Sequence, residues 1–164
     1  MLKIYPAETD IDIDSTKKLF YEYLDYLKKE FRAQNDLPWF IDYYRDFEKE
    51  IEGLPGDYSQ PSGCILLVEY NNQPIGCVAF DEQSQGICEM KRLYIKPEFH
   101  RRGIATVLCK ALIDKAISLS YNHMRLATAL EIPKQLYKSL GFTEISPFDH
   151  VPVKGVIFME LKLT

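Results

Sequence analysis

The stretch of this chain best equipped for chemistry reads Leu93-Tyr94-Ile95-Lys96-Pro97-Glu98-Phe99-His100-Arg101-Arg102-Gly103-Ile104-Ala105-Thr106. Its first part has strand character and Pro97 closes it. A turn containing Gly103 and Ala105 then opens a helix predicted from Ile104 to about Ser120. A helix N-terminus presents backbone N–H groups without intrahelical acceptors, together with a partial positive charge. That combination suits an anion, most often a phosphate. Gly103 and Ala105 carry little or no side chain, so an anion can come close to the backbone. Between Lys91 and Lys110 stand six bases (Lys91, Arg92, Lys96, Arg101, Arg102, Lys110) and one acid, Glu98. A plain helix start with surface arginines has the same composition, and these residues alone leave both readings open. The spacings GxxxxGK[ST] and GxGxxG are absent.

Other chemistries have less to build on. Cys64, Cys77, Cys88 and Cys109 form no CxxC pair and lie in apolar stretches, so they are expected to be reduced core residues. His100, His123 and His150 do not combine with them at zinc spacing, and no metal site is expected. Asp149 and His150 are neighbours, but no serine or cysteine elbow accompanies them. Net charge is −4, from 24 acids and 20 bases, which argues against a nucleic-acid binder. The charge is uneven: residues 1–57 hold 14 acids and 8 bases, the remainder 10 and 12. The acidic first third favours a cationic small molecule as a partner, although solvated helix faces give the same count. No apolar run approaches the roughly 20 residues of a membrane span. The first twenty residues lack the pattern of a signal peptide, so a cytoplasmic protein with no membrane contact is expected.

The elements that must position these residues follow from periodicity. Leu2 to Ala7 reads as a strand. A helix capped by Asp14 or Ser15 runs to about Arg32, with Leu19, Phe20, Tyr23, Leu24, Leu27 and Phe31 on one face. A second helix, capped by Asn35 or Asp36 with Pro38 in its first turn, carries Trp39, Phe40, Tyr43, Tyr44, Phe47 and Ile51. Cys64 to Tyr70, Pro74 to Phe80 and Ile87 to Ile95 are three neighbouring strands, the first two forming a hairpin. After the helix at Ile104 come a strand from Met124 to Thr128 and a short helix from Pro133 to Leu140 closed by Gly141. Thr143 to Ile145 and Val156 to Leu163 are the last strands. The 164 residues suit one α+β domain spanning 1–164. The strand–helix–strand unit around Ile104 requires a parallel pair within a mixed sheet.

Two motifs carry a resemblance to a known family. His100-Arg101-Arg102-Gly103-Ile104-Ala105 resembles the pyrophosphate-binding signature [QR]-x-x-G-x-[GA] of the GNAT acyl-CoA N-acetyltransferases, with His100 where relatives usually carry Gln or Arg. Leu136 to Phe142, LYKSLGF, resembles the second hallmark of that superfamily, about 35 residues further on, and the order of elements matches over nearly the whole chain.

The resemblance implies an α/β sandwich of the GNAT fold. Its twisted, mostly antiparallel mixed sheet has about seven strands, with about four helices and a splayed parallel pair at the centre. It implies that backbone N–H groups of Arg101, Arg102, Gly103, Ile104, Ala105 and Thr106 hold the pyrophosphate of acetyl-CoA. The pantetheine arm would lie along Leu93, Tyr94 and Ile95, pairing with the backbone of Leu93 and Ile95 as an added strand does. It makes Tyr137 the general acid for the leaving thiolate and Glu89 the candidate base. By strand alternation Glu89, six residues before Ile95, is expected on the same face as Ile95. Trp39, Tyr43 and Tyr44 lie where relatives build the acceptor site, with Asp42, Asp46 and Glu48 nearby to attract a cation. Spacing alone reads the same aromatics, and Tyr21, Tyr23 and Tyr26, as core. The implied function is acetyl transfer from acetyl-CoA to a small-molecule or peptide amine, with a homodimer also compatible. A non-catalytic acyl-CoA-binding sensor or partner module would keep the anion motif without needing Glu89 or Tyr137, and a longer acyl chain is a further alternative.

Overall fold

A computed structural model describes residues 1–163. The elements follow in the order β1 (Leu2–Pro6), α1 (Asp10–Glu30), α2 (Pro38–Glu52), β2 (Cys64–Tyr70), β3 (Gln73–Ser84), β4 (Ile87–Ile95), α3 (Ile104–Ser118), β5 (His123–Thr128), α4 (Glu131–Ser139), β6 (Thr143–Ile145) and β7 (Ile157–Lys162). The seven strands form one sheet in the order β1-β2-β3-β4-β5-β7-β6. Every neighbouring pair is antiparallel except β4 and β5, which α3 joins as a crossover. The mixed sheet with a central parallel pair is thus the architecture expected from the sequence.

Several boundaries differ from the sequence reading. Helix α1 begins at Asp10, because Thr9 and Asp12 form a capping box: Asp12 N–H donates to Thr9 Oγ1 and Thr9 N–H to Asp12 Oδ2, both at 3.1 Å. Asp14 and Ser15 therefore lie inside the helix. Asn35 does not cap α2. Its Nδ2 donates to the Lys28 carbonyl at 2.7 Å and its Oδ1 accepts from the Tyr44 hydroxyl at 2.7 Å, closing the loop between the two helices. Strand β3 continues to Ser84, because Asp81 and Glu82 stay in register with Glu89 and Cys88 of β4.

The sheet divides the interior into two cores. On one face α3 buries Leu108, Cys109, Leu112 and Ala116 against Val68, Val78, Phe80, Met90, Met124 and Leu126, and Tyr137 of α4 joins them. On the other face α1 and α2 bury Leu19, Phe20, Leu24, Phe40, Phe47 and Ile51 against Ile65, Leu67, Cys77, Ala79 and Tyr94. All four cysteines are buried and unpaired, as expected.

Strand β4 changes face partway along. Its register with β3 slips between Ala79↔Lys91 and Cys77↔Tyr94, so Arg92 and Leu93 both oppose Val78. Arg92 adopts φ +64° at this bulge, a left-handed conformation that costs a non-glycine residue about 1–2 kcal/mol. Cys88 and Met90 belong to the α3 core, Tyr94 to the α1/α2 core, and Ile95 returns to the α3 side. The two-residue alternation that placed Glu89 with Ile95 fails for this reason: Glu89 faces the α1/α2 side.

Beyond the bulge β3 and β4 approach closely. A methyl group at Gly76 would stand 2.5 Å from Ile95 Cδ1 and 2.8 Å from the Tyr94 carbonyl oxygen. Gly76→Ala is therefore expected to destabilise the fold by about 2 kcal/mol and lower the thermal unfolding midpoint by roughly 5 °C. Thermal denaturation followed by circular dichroism checks this; an unchanged midpoint would mean that the strands are not held so tightly.

Candidate active site

The parallel pairing of β4 and β5 is short. Ile87, Cys88 and Glu89 pair with His123, Met124 and Arg125, and the strands then part. Between them opens a cavity of about 750 Å³, walled by Met90 to Ile95 on one side and Leu126 to Leu130 on the other. Its wall includes residues of both cores, so the slot connects the two faces of the sheet.

At one end of this cavity lies the start of α3. Arg101, Gly103, Ile104, Ala105 and Thr106 all line it. Among the described residues, no protein acceptor takes the backbone N–H groups from Arg101 to Thr106; the first intrahelical bond runs from Val107 N–H to the Gly103 carbonyl at 3.2 Å. Arg101 and Gly103 adopt φ +63° and +75°, which turns the chain into the helix. A Cβ placed on Gly103 would have no atom within 4 Å, so the space over these amides is open. A run of free donors in a widened turn, at the positive end of a 15-residue helix, fits a diphosphate. The Arg102 side chain lies over the Phe99 ring, 5.2 Å from its centroid, and contributes no wall to the cavity.

His100 has a positional role that the sequence did not disclose. Its Nε2–H donates to the Ile95 carbonyl at 2.7 Å. The bond ties the turn before α3 to the end of β4, so the amide run and the parted strand edge are fixed relative to each other. It also engages one of the two backbone groups of Ile95.

Tyr137 reaches the cavity from α4. Its side chain is 7% exposed, and among the described residues its hydroxyl has no hydrogen-bond partner. Burial, with a smaller contribution from Cys109 and Tyr23, holds its phenol well above the ordinary value. The group is therefore a neutral O–H donor at physiological pH. Tyr23, treated as core from its spacing, also lines the cavity from α1, and burial raises its phenol likewise. No local sequence signal separates a tyrosine on a cavity wall from one in a core.

Glu89 sits where the strands begin to part, as the last residue of β4 paired with β5, and it lines the cavity. Burial raises its carboxyl above the usual range, and Asp81 and Asp149 push the same way while Lys91 opposes them. Gln83 Nε2 donates to Glu89 Oε1 at 3.5 Å, and Lys91 Nζ lies 3.8 Å from the same oxygen. Lys91 is held more closely by Asp81, at 3.1 Å. A partly desolvated carboxylate with a raised pKa is suited to accept a proton near neutrality.

The bulge that shapes β4 is anchored by its own side chain. Arg92 Nε and Nη2 donate to Glu50 Oε2 and Oε1, both at 2.9 Å, and Nη1 donates to the Tyr43 hydroxyl at 2.6 Å. The guanidinium also lies 4.0 Å from the Phe47 ring centroid, and Tyr58 donates to Glu50 at 3.0 Å. A bidentate pair of this kind orients more than it stabilises. It locks the left-handed residue of β4 to α2.

Of the aromatics on α2, Trp39, Phe40 and Tyr43 line the cavity. Tyr44 does not: it is buried, and its hydroxyl serves Asn35. Asp42 and Asp46 pair with Arg45, at 3.0 and 3.7 Å, and Glu48 lies 3.8 Å from Lys28. These carboxylates stand outside the main cavity.

Solved structures share this fold. The PaiA N-acetyltransferase of Thermoplasma acidophilum, solved in complex with coenzyme A, superposes with a TM-score of 0.74 at 16% identity, covering 99% of each chain. An acetyltransferase of Schizosaccharomyces pombe is 31% identical over 157 residues, covering 93% of this chain and 90% of that one. One from Dictyostelium discoideum is 26% identical over 215 residues, covering 92% and 94%. Residues 20–142 match the Acetyltransferase (GNAT) family. The chain belongs to that family.

Proposed function

We propose that this chain moves an acetyl group from acetyl-CoA to a primary amine by direct attack within a ternary complex. The observation that carries the reading is the set of open amides from Arg101 to Thr106, at the mouth of the same cavity that receives Tyr137 and Glu89. The coenzyme A held by the Thermoplasma acidophilum protein of the same fold supports it.

Bound acetyl-CoA supplies an activated acyl thioester. The chain's own residues do the rest. The amides of Arg101 to Thr106 neutralise the diphosphate, and the edge of β4 at Leu93 to Ile95, free of β5 and with only its Ile95 carbonyl taken by His100, offers donors and acceptors to the pantetheine amides. An alkyl ammonium has a pKa of about 10.4, so the nucleophile must lose a proton, and Glu89 accepts it directly or through water. As the C–N bond forms and the C–S bond breaks, the Tyr137 hydroxyl gives its proton to the sulfur. Burial raises the cysteine thiols, Cys64 to about 11 and Cys88 and Cys109 to about 12, which leaves them poor nucleophiles and favours transfer without an acyl-enzyme.

Gly103→Glu is expected to abolish acetyl-CoA binding in calorimetry without unfolding the protein, because it sets a carboxylate over the amide run. Unchanged affinity would contradict the phosphate assignment. Tyr137→Phe should lower kcat by about 100-fold with little change in KM for acetyl-CoA; equal turnover would remove Tyr137 as the acid. For Glu89 the ionised form is the active one. kcat/KM should therefore fall as pH drops through a value above the ordinary carboxylate range, and Glu89→Gln should erase that limb. A mutant that keeps the wild-type pH profile would exclude Glu89 as the base.

A further inference from the structure

The cavity wall on the α1/α2 side states what kind of amine fits. Tyr23, Tyr26, Phe31, Trp39, Tyr43 and Tyr94 line it together. They form two groups of rings bridged from behind by buried Phe47: Trp39 and Tyr43 stack at 5.0 Å with planes 16° apart, Tyr23 and Tyr26 at 6.5 Å and 15°, and Tyr94 lies 5.8 Å from Tyr23 and 6.4 Å from Tyr26. Packing along such a surface rewards a flat apolar body.

The charges argue the same way. Two carboxylates face this cavity, Glu89 and Asp149, against three bases, Lys91, Arg92 and Arg101. Glu89 is shared with Gln83 and Lys91, and Asp149 Oδ1 accepts from the His150 N–H at 2.7 Å. With Arg92 and Lys91 matched by Glu50 and Asp81, the two carboxylates exceed the remaining base, Arg101, by one charge, which suits a single ammonium and not a polycation. The acids of α2 that favoured a cationic partner on sequence grounds, Asp42 and Asp46, line an adjoining recess of about 210 Å³ behind Trp39 and Tyr43 and are paired with Arg45. An acceptor bearing a carboxylate fares no better. Arg92 already holds Glu50 in a bidentate pair and donates to Tyr43, Lys91 donates to Asp81, and Arg101 stands at the α3 end of the cavity, away from the rings.

We propose that the acceptor is a small arylalkylamine, its ring seated against the Trp39–Tyr43 and Tyr23–Tyr26 pairs and its amine directed to Glu89. This rests on the acetyl-transfer reading above. The amine nitrogen gains the acyl carbon and loses one proton, while the thioester C–S bond breaks and the sulfur gains one proton, so the products are an N-acetylarylalkylamine and coenzyme A.

Trp39 is the single tryptophan of the chain, so its fluorescence reports occupancy of this wall without turnover. With coenzyme A present, 2-phenylethylamine is expected to change Trp39 emission saturably, and spermidine and L-aspartate to leave it unaltered. With acetyl-CoA, kcat/KM for 2-phenylethylamine should exceed that for spermidine or L-aspartate by roughly 100-fold. Trp39→Ala should raise KM for the arylalkylamine at least tenfold while leaving the calorimetric affinity for acetyl-CoA within twofold. Acetylation of spermidine or L-aspartate as fast as 2-phenylethylamine would overturn the acceptor class and leave acetyl transfer standing. Failure of the wild-type protein to bind acetyl-CoA would overturn both.

Discussion

The site depends on one local irregularity, the bulge that Arg92 makes in β4. An extra residue there turns the second half of the strand and adds twist. The strain of a left-handed arginine persists because its guanidinium is gripped by Glu50, by Tyr43 and by the face of Phe47. The pair between β4 and β5 holds for three residues and ends one short turn of chain before this point. From there on the two strands cannot satisfy each other, and the unpaired edge of β4 is left for a partner that is not a strand of the protein.

That parting also determines where each chemical group comes from. The sheet would otherwise separate its two cores completely. Because it opens at its centre, Tyr137, packed in the α3 core, and Tyr23, packed with α1 and α2, face one cavity. Glu89 stands at the apex, and the free amides of α3 lie at the opposite end. The His100 bond to Ile95 keeps that end in place. Open main-chain amides, a buried phenol and a carboxylate are thus contributed by three elements distant in sequence, brought together by a gap in one sheet.

The sequence was most legible where chemistry is written in backbone requirements. Gly103 with Ala105, following a strand and a proline, marks the turn whose amides stand open before α3, and LYKSLGF marks the helix that carries Tyr137 to the cavity. Element order and the crossover at α3 also followed from periodicity and connectivity. What escaped was what only tertiary contact decides. Arginine is no signal for a left-handed residue, so the bulge was invisible and strand alternation carried Glu89 to the wrong face. The spacing of Tyr23, Tyr26, Trp39 and Tyr43 describes an apolar helix face equally well whether it meets a core or a cavity. Tyr44, adjacent to Tyr43, turned inward to Asn35. The capping box of Thr9 and Asp12 lies ahead of the first apolar-periodic residue, where Asp14 and Ser15 offer the same cap chemistry and only the backbone chooses between them.

The central claim is that a diphosphate is held by main-chain donors opening α3, and hydrogen–deuterium exchange tests it most directly. Addition of coenzyme A should slow exchange across Arg101 to Thr106 strongly, while pantetheine, which lacks the phosphates, should not. Coenzyme A that binds while those amides exchange as fast as before would contradict the account.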